Sequence, residues 1–173
     1  YDKYSFMIKI TKTVIRILNQ RDPKSKSLDL NLLPSNILLL KTAPFSLNLI
    51  DIFASTMEEH KDLAIPDSTN LINYVDARTR NIILLGRVFY FICFEEYLEY
   101  HQHSVVRDSL DEKDRERDLY DIDLDVLKLI RMMLNFSPVD RPSLEVVLGT
   151  LEGIINSSVF LVEFAKIHLQ STF

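Results

Sequence analysis

The sequence predicts a mostly α-helical domain carrying one small β-hairpin. Three observations carry that expectation: an apolar stripe at helical spacing over residues 4–19, a nearly continuous apolar run from Ile82 to Phe94, and renewed helical stripes after position 124. At 173 residues the chain is long enough for one domain with a single well-buried core.

In the first segment Met7, Ile10, Val14, Ile17 and Leu18 fall on one face, with Lys9, Lys12 and Arg16 elsewhere. Pro23 disfavours helical geometry at Asp22 and ends that helix. Two short apolar runs, 37–40 and 47–52, flank a proline-containing segment and predict the hairpin. Residues 54–80 lack periodicity and read as a long irregular loop. The helix expected over 81–97 is apolar almost all round, which marks it as central. The stretch 101–118 is so highly charged that it reads as a solvated connection. Leu124, Leu127, Ile130, Met133 and Leu134 then form an amphipathic helix. Pro138 and Pro142 bracket a turn, and Ser143 is placed as the N-cap of a further helix with Glu145 in its first turn. Residues 159–169 predict a separate last helix.

Composition narrows the function classes. Gly86, Gly149 and Gly153 are the only glycines, so the first half contains no Gly-rich loop able to cradle phosphate. A net charge of −5 argues against a nucleic-acid partner, although Lys9, Lys12, Arg16, Arg21, Lys24 and Lys26 make the N-terminal stretch basic. That stretch reads first as a solvated helix face. The lone Cys93 excludes an intramolecular disulfide and fits a reducing, cytoplasmic compartment, as a core thiol. No signal peptide is visible, and the longest apolar run is too short for a membrane span.

Two stretches carry a family resemblance. Leu28-Asp-Leu-Asn-Leu-Leu-Pro-Ser-Asn-Ile-Leu-Leu39 is similar to the protein kinase catalytic loop and following strand, HRDLKPxNILL, with residues 34–39 matching in unbroken order. Leu129-Ile-Arg-Met-Met-Leu-Asn-Phe-Ser-Pro-Val-Asp-Arg-Pro-Ser143 resembles the late kinase helix that runs into a DPxxRPS turn. Between them, Asn48-Leu-Ile-Asp51 resembles the strand into the DFG motif, Ile65-Pro-Asp67 stands where APE would, and Leu85-Gly-Arg-Val-Phe-Tyr90 falls in the central helix. The chain thus resembles the C-terminal lobe of a eukaryotic protein kinase over 1–155, with 156–173 expected to form a C-terminal helix or the start of a following domain.

The resemblance implies chemistry that the residues themselves no longer support. Kinase transfer needs an aspartate to orient the attacking hydroxyl and groups to hold Mg²⁺. At the proton-acceptor position stands Asn31, and the phosphate-contacting lysine is replaced by Leu33. The motif's histidine and arginine are Asp29 and Leu30, and the anchoring aspartate of the central helix is assigned to Ile82. Asn36 and Asp51 retain the types of a vestigial Mg²⁺ pair, although Phe53 replaces the glycine after Asp51. Arg141 is expected to pair with Asp67 in a structural role. Too few residues precede Leu28 to supply a Gly-rich loop or a strand lysine for ATP.

The expectation is therefore a catalytically inactive pseudokinase acting as an interaction or allosteric module, with protein partners that include another kinase-like domain. No cofactor is expected, ATP with Mg²⁺ being the one that the family raises. One alternative is a fragment of a serine/threonine kinase whose N-lobe lies upstream, against which Asn31 argues. A second is a remnant of a dual kinase/endoribonuclease stress sensor, raised by Gly86-Arg-Val-Phe-Tyr-Phe and by residues 156–167. Glu95, Glu96, Glu99, His101 and His103 cluster in sequence and suggest a metal, but an exposed helix end is the simpler account.

Overall fold

Residues 3–20, 30, 32–40, 46–49, 77–98 and 103–170 are described by a computed structural model, without the side chains of 35, 38–40, 46–49, 77–78 and 158–170. The described elements are α1 (Lys3–Asn19), β1 (Ile37–Leu40), β2 (Ser46–Leu49), α2 (Ala77–Phe94), α3 (His103–Arg115), α4 (Arg117–Tyr120), α5 (Leu124–Met133) and α6 (Leu144–Gln170). Short 3-10 turns at Pro34–Asn36 and Pro138–Asp140 precede β1 and α6. The architecture is mostly helical, as the periodicity predicts. β1 and β2 form an antiparallel pair in which Ile37 faces Leu49 and Leu40 faces Ser46.

The core is built around α2. Ile82, Ile83, Leu84, Leu85, Val88, Phe89, Tyr90, Cys93 and Phe94 are all buried, so almost every face of this helix is covered. Met7, Ile10 and Val14 of α1 cover one side, and Val126, Leu127, Ile130 and Met133 of α5 belong to the same cluster. Each large side chain so buried contributes about 1.5–3 kcal/mol. Thr11, also buried, is satisfied locally by donating from Oγ1 to the Met7 carbonyl at 2.8 Å. Among the described residues no helix is long and apolar enough to cross a membrane.

Three boundaries differ from expectation. The first is the start of the central helix: α2 begins at Ala77, inside the span read as irregular loop. Its first turn, Ala-Arg-Thr-Arg, is polar and gives no periodic signal, although its residues are good or tolerable helix formers.

The second is the charged stretch, which is helical and not a solvated connection. Val106, Leu110 and Lys113 of α3 are buried at helical spacing against a face of acids and bases that masks the pattern. Arg131 of α5 holds α3 in place, donating to Asp111 Oδ1 at 2.6 Å and to the Leu110 carbonyl at 3.3 Å.

The third is the tail. Residues 144–170 form one continuous helix, running unbroken across the expected boundary at 155/156. The polar Asn156-Ser-Ser stretch does not stop it, because Ser157 Oγ bonds back to the Gly153 carbonyl at 2.9 Å. Its start is as expected: Ser143 Oγ accepts the Val146 amide at 3.3 Å, and Glu145 lies in the first turn. α5 is capped in the same way by Asp123, whose Oδ1 accepts the Asp125 amide at 2.7 Å.

Lys113 fixes the end of α2 to α3 and α4. Only 7% of its side chain is exposed, and Nζ lies 2.7 Å from Glu96 Oε1 and 3.2 Å from the Tyr120 hydroxyl. The ammonium also sits 4.9 Å from the Tyr120 ring centre. Burial alone would lower its pKa, but the bonds to Glu96 and Tyr120 outweigh it and raise the value above the ordinary lysine range. Burial likewise pushes Tyr90 and Cys93 up to about 12, opposed in both cases by a nearby lysine.

All three groups bind protons more tightly in the folded chain, so stability falls with rising pH where the unfolded chain has released them. The contribution of Lys113 is fully present below its unfolded pKa of about 10.4 and is lost above it. Urea midpoints should therefore hold steady to about pH 8 and then decline. The decline that begins near pH 8 belongs to Cys93 and Tyr90. Lys113→Met should flatten only its part above about pH 10, and an equally steep fall there in the variant would count against this clamp.

Gly86 marks the tightest crossing. A Cβ there would stand 3.0 Å from Met133 Cβ and 3.1 Å from Leu134 Cδ2, so α2 and α5 approach over a bare backbone. Gly149 has nothing within 4 Å. Gly86→Val should lose about 1–3 kcal/mol in urea denaturation. Gly149→Ala should gain up to about 1 kcal/mol from helix propensity.

Candidate functional site

The segment resembling a catalytic loop lies between α1 and α2. Leu30 and Leu32 are buried, Leu33 is 38% exposed, and the chain then turns through Pro34–Asn36 into β1. The turn closes through the Asn36 amide on the Leu33 carbonyl at 2.9 Å and the Ile37 amide on the Pro34 carbonyl. Pro34 begins it because its fixed φ suits the first helical position and its missing N–H costs nothing there. Alternation of buried and exposed leucines follows directly: Leu32 is a core residue, whereas Leu33 faces outward.

A buried bond connects this segment to the central helix. The Leu30 amide donates to Asn81 Oδ1 at 2.9 Å, across 51 positions of sequence. Asn81 is fully buried, one residue before the apolar run begins. This corrects the assignment of the anchoring position to Ile82, which is a buried apolar residue of the core. The anchor is Asn81, one position earlier. Its signal was legible in principle: a polar side chain on a helix buried all round must find a partner inside.

Arg141 forms a second polar connection. It is 8% exposed and donates from Nε to the Asn135 carbonyl at 2.7 Å, and from Nη2 to the Phe136 carbonyl at 3.1 Å. Its Nη1 reaches the Thr79 carbonyl in the first turn of α2 at a longer 3.4 Å. One guanidinium thus gathers carbonyls from the end of α5 and the start of α2, a task its planar fork of donors suits. Its expected partner Asp67 lies outside the described residues, as do Asn31 and Asp51.

Asn36, the remaining expected metal ligand, is half-buried at the end of the 3-10 turn. Beside that turn is an open groove of about 570 Å³ lined by Phe6, Pro34, Ile37, Val88, Ile92 and Glu95. No cation and no glycine stand among these residues, and Glu95 would repel phosphate.

Of the carboxylate and imidazole cluster, Glu95, Glu96 and His103 are among the described residues. Glu96 is committed to Lys113, and the His103 ring meets the Phe136 ring edge-on at 5.0 Å. Glu99 and His101 lie outside the described residues. Among the described residues no group of three His, Cys, Asp or Glu side chains is placed to hold a metal ion. Cys93 is buried with its thiol pKa pushed up to about 12, so it is a poor nucleophile.

No protein-family model matches the chain, and no curated protein matches it significantly. The chemistry of the site rests on its own residues.

Removing the Asn81 amide tests the central anchor. Asn81→Ala should strand a buried Leu30 N–H and cost about 1–3 kcal/mol in urea denaturation. Asn81→Asp keeps an accepting oxygen and should recover part of that loss. Equal stability of Asn81→Ala and the parent chain would mean that the bond holds nothing in place.

Proposed function

We propose that the chain is a kinase-like C-terminal lobe that does not transfer phosphate and serves as an interaction or allosteric module for a protein partner. The observation that carries this reading is the buried Leu30 to Asn81 bond, which ties the catalytic-loop-like segment to the head of the central helix. The resembled family places its anchoring residue at that same end. The Pro34–Asn36 turn running into the β1/β2 hairpin and the burial of Arg141 after α5 support it further.

The loss of catalysis follows from residue chemistry. Asn31 has no carboxylate to accept a hydroxyl proton, and Leu33 has no ammonium to balance charge on a transferring phosphoryl group. Positioned charge supplies most of the rate in such reactions, and each missing group costs on the order of 10²–10³-fold. An architecture that keeps its anchor while losing these groups is suited to presenting a surface. Another kinase-like domain is the partner that such a lobe most naturally takes.

The test is a thermal-shift titration with millimolar ATP and Mg²⁺, on the parent chain and on Asp51→Ala. A ligand that binds only the folded state raises its melting temperature by mass action, so weak binding registers. No shift in either protein is the expected result. A rise abolished by Asp51→Ala would overturn the reading in favour of a lobe that still holds metal and nucleotide.

A further inference from the structure

We propose that Tyr97 is a phosphoacceptor for a tyrosine kinase. The inference is independent of the kinase-like reading and rests on how the end of α2 presents this one side chain. Among the described tyrosines, Tyr90 is buried and Tyr4 and Tyr120 are half-buried, whereas Tyr97 is 68% exposed. Tyr90 and Tyr120 surround Lys113 in the core, and the Tyr4 hydroxyl accepts the Asp123 amide at 2.8 Å. Tyr90 is enclosed in the core, and the Tyr4 and Tyr120 hydroxyls are bonded within the fold.

The backbone at Tyr97 is also suited to entering another protein's cleft. α2 stops at Phe94, and Glu95 adopts a left-handed φ of 59° that no helix continues through. Residues 95–98 are irregular, so the tyrosine needs no helix unwound around it. The span is short and held at both ends, with Phe94 and Leu98 buried on either side, and this turns the residue between them outward. One tilted contact with the Phe91 ring, centres 4.8 Å apart, is what the Tyr97 ring leaves behind.

Charge supplies the recognition. Glu95, two residues before the tyrosine, is exposed, Glu96 is exposed but paired with Lys113, and Glu99 follows in sequence. An acidic approach of this kind complements a kinase whose substrate groove is basic, and it raises the encounter rate. In the reaction Tyr97 Oη attacks the γ-phosphorus of ATP while the bond to the ADP oxygen breaks. The phenolic proton passes to the kinase's base, leaving phosphotyrosine and ADP. The product adds a charge of about −1.5 to −2 beside two carboxylates and the negative end of the α2 dipole.

The experiment treats the folded chain with a recombinant tyrosine kinase of acidic preference and ATP, following phosphate incorporation by intact mass and peptide mapping. Tyr97→Phe keeps the ring and its contact with Phe91, and its thermal melt is run alongside to show that the fold is retained. Most of the initial incorporation is expected to disappear in Tyr97→Phe, and Glu95→Gln is expected to label more slowly than the parent. Phosphate mapping to another tyrosine, or labelling of Tyr97→Phe at the parent rate, would overturn the proposal. Glu95→Gln labelling as fast as the parent would overturn the acidic recognition on which it depends.

Discussion

A helix buried on almost every side has no water available for its polar groups, and the described structure is organised by that constraint. α2 satisfies it with partners from distant parts of the chain. Asn81 finds the Leu30 amide, the Thr79 carbonyl faces Arg141, and the Cys93 carbonyl accepts from Lys3 Nζ at 3.3 Å. The same Lys3 ammonium reaches the Tyr120 carbonyl at the end of α4, while Tyr4 accepts the amide of Asp123, the α5 cap. Each of these bonds is worth little net, yet stranding the buried Leu30 amide or Asn81 amide would cost more than their bond gains. The first turn of α1 is thereby tied to the far end of α2 and to the start of α5.

This explains which parts of the fold were legible in the sequence. α1, α5 and the all-round burial of α2 follow from apolar spacing, and the Ser143 cap follows from local side-chain chemistry. The β1/β2 pairing was readable from two short apolar runs about a proline. α3 was not, because its buried face is narrow: Val106, Leu110 and the stem of Lys113 lie under a helix whose average character is strongly polar. A lysine counted as a solvated charge concealed a core position. The continuity of α6 was also missed: residues 159–169 read as a separate last helix, whereas 144–170 are one helix.

Of the candidate site, Asn31, Asp51 and Asp67 lie outside the described residues. The resemblance put the apolar Ile82 where the family has a polar anchor, whereas a buried polar side chain that bonds the Leu30 segment stands one position earlier, at Asn81. A shift of one residue on a helix turns a side chain by about 100°, from a contact with Leu30 into the apolar core. Spacing alone does not resolve that difference, because either residue lies at the start of the same run. Burial does, since only a partnered polar group survives in that position.

The two polar connections, Asn81 and Arg141, share a physical logic that bears on function. Both use side chains to satisfy backbone groups: Asn81 accepts the Leu30 amide, and Arg141 donates to the Asn135 and Phe136 carbonyls. A framework held in this way tolerates the exchange of a reactive side chain for an inert one of similar size. On the proposed reading, an aspartate at position 31 became an asparagine without disturbing the Leu30 anchor, because that anchor takes hold of the main chain. Shape and chemistry are then separable: the loop's position is fixed by its backbone, and the reaction is fixed by its side chains. On that reading, the second can be lost while the first is kept.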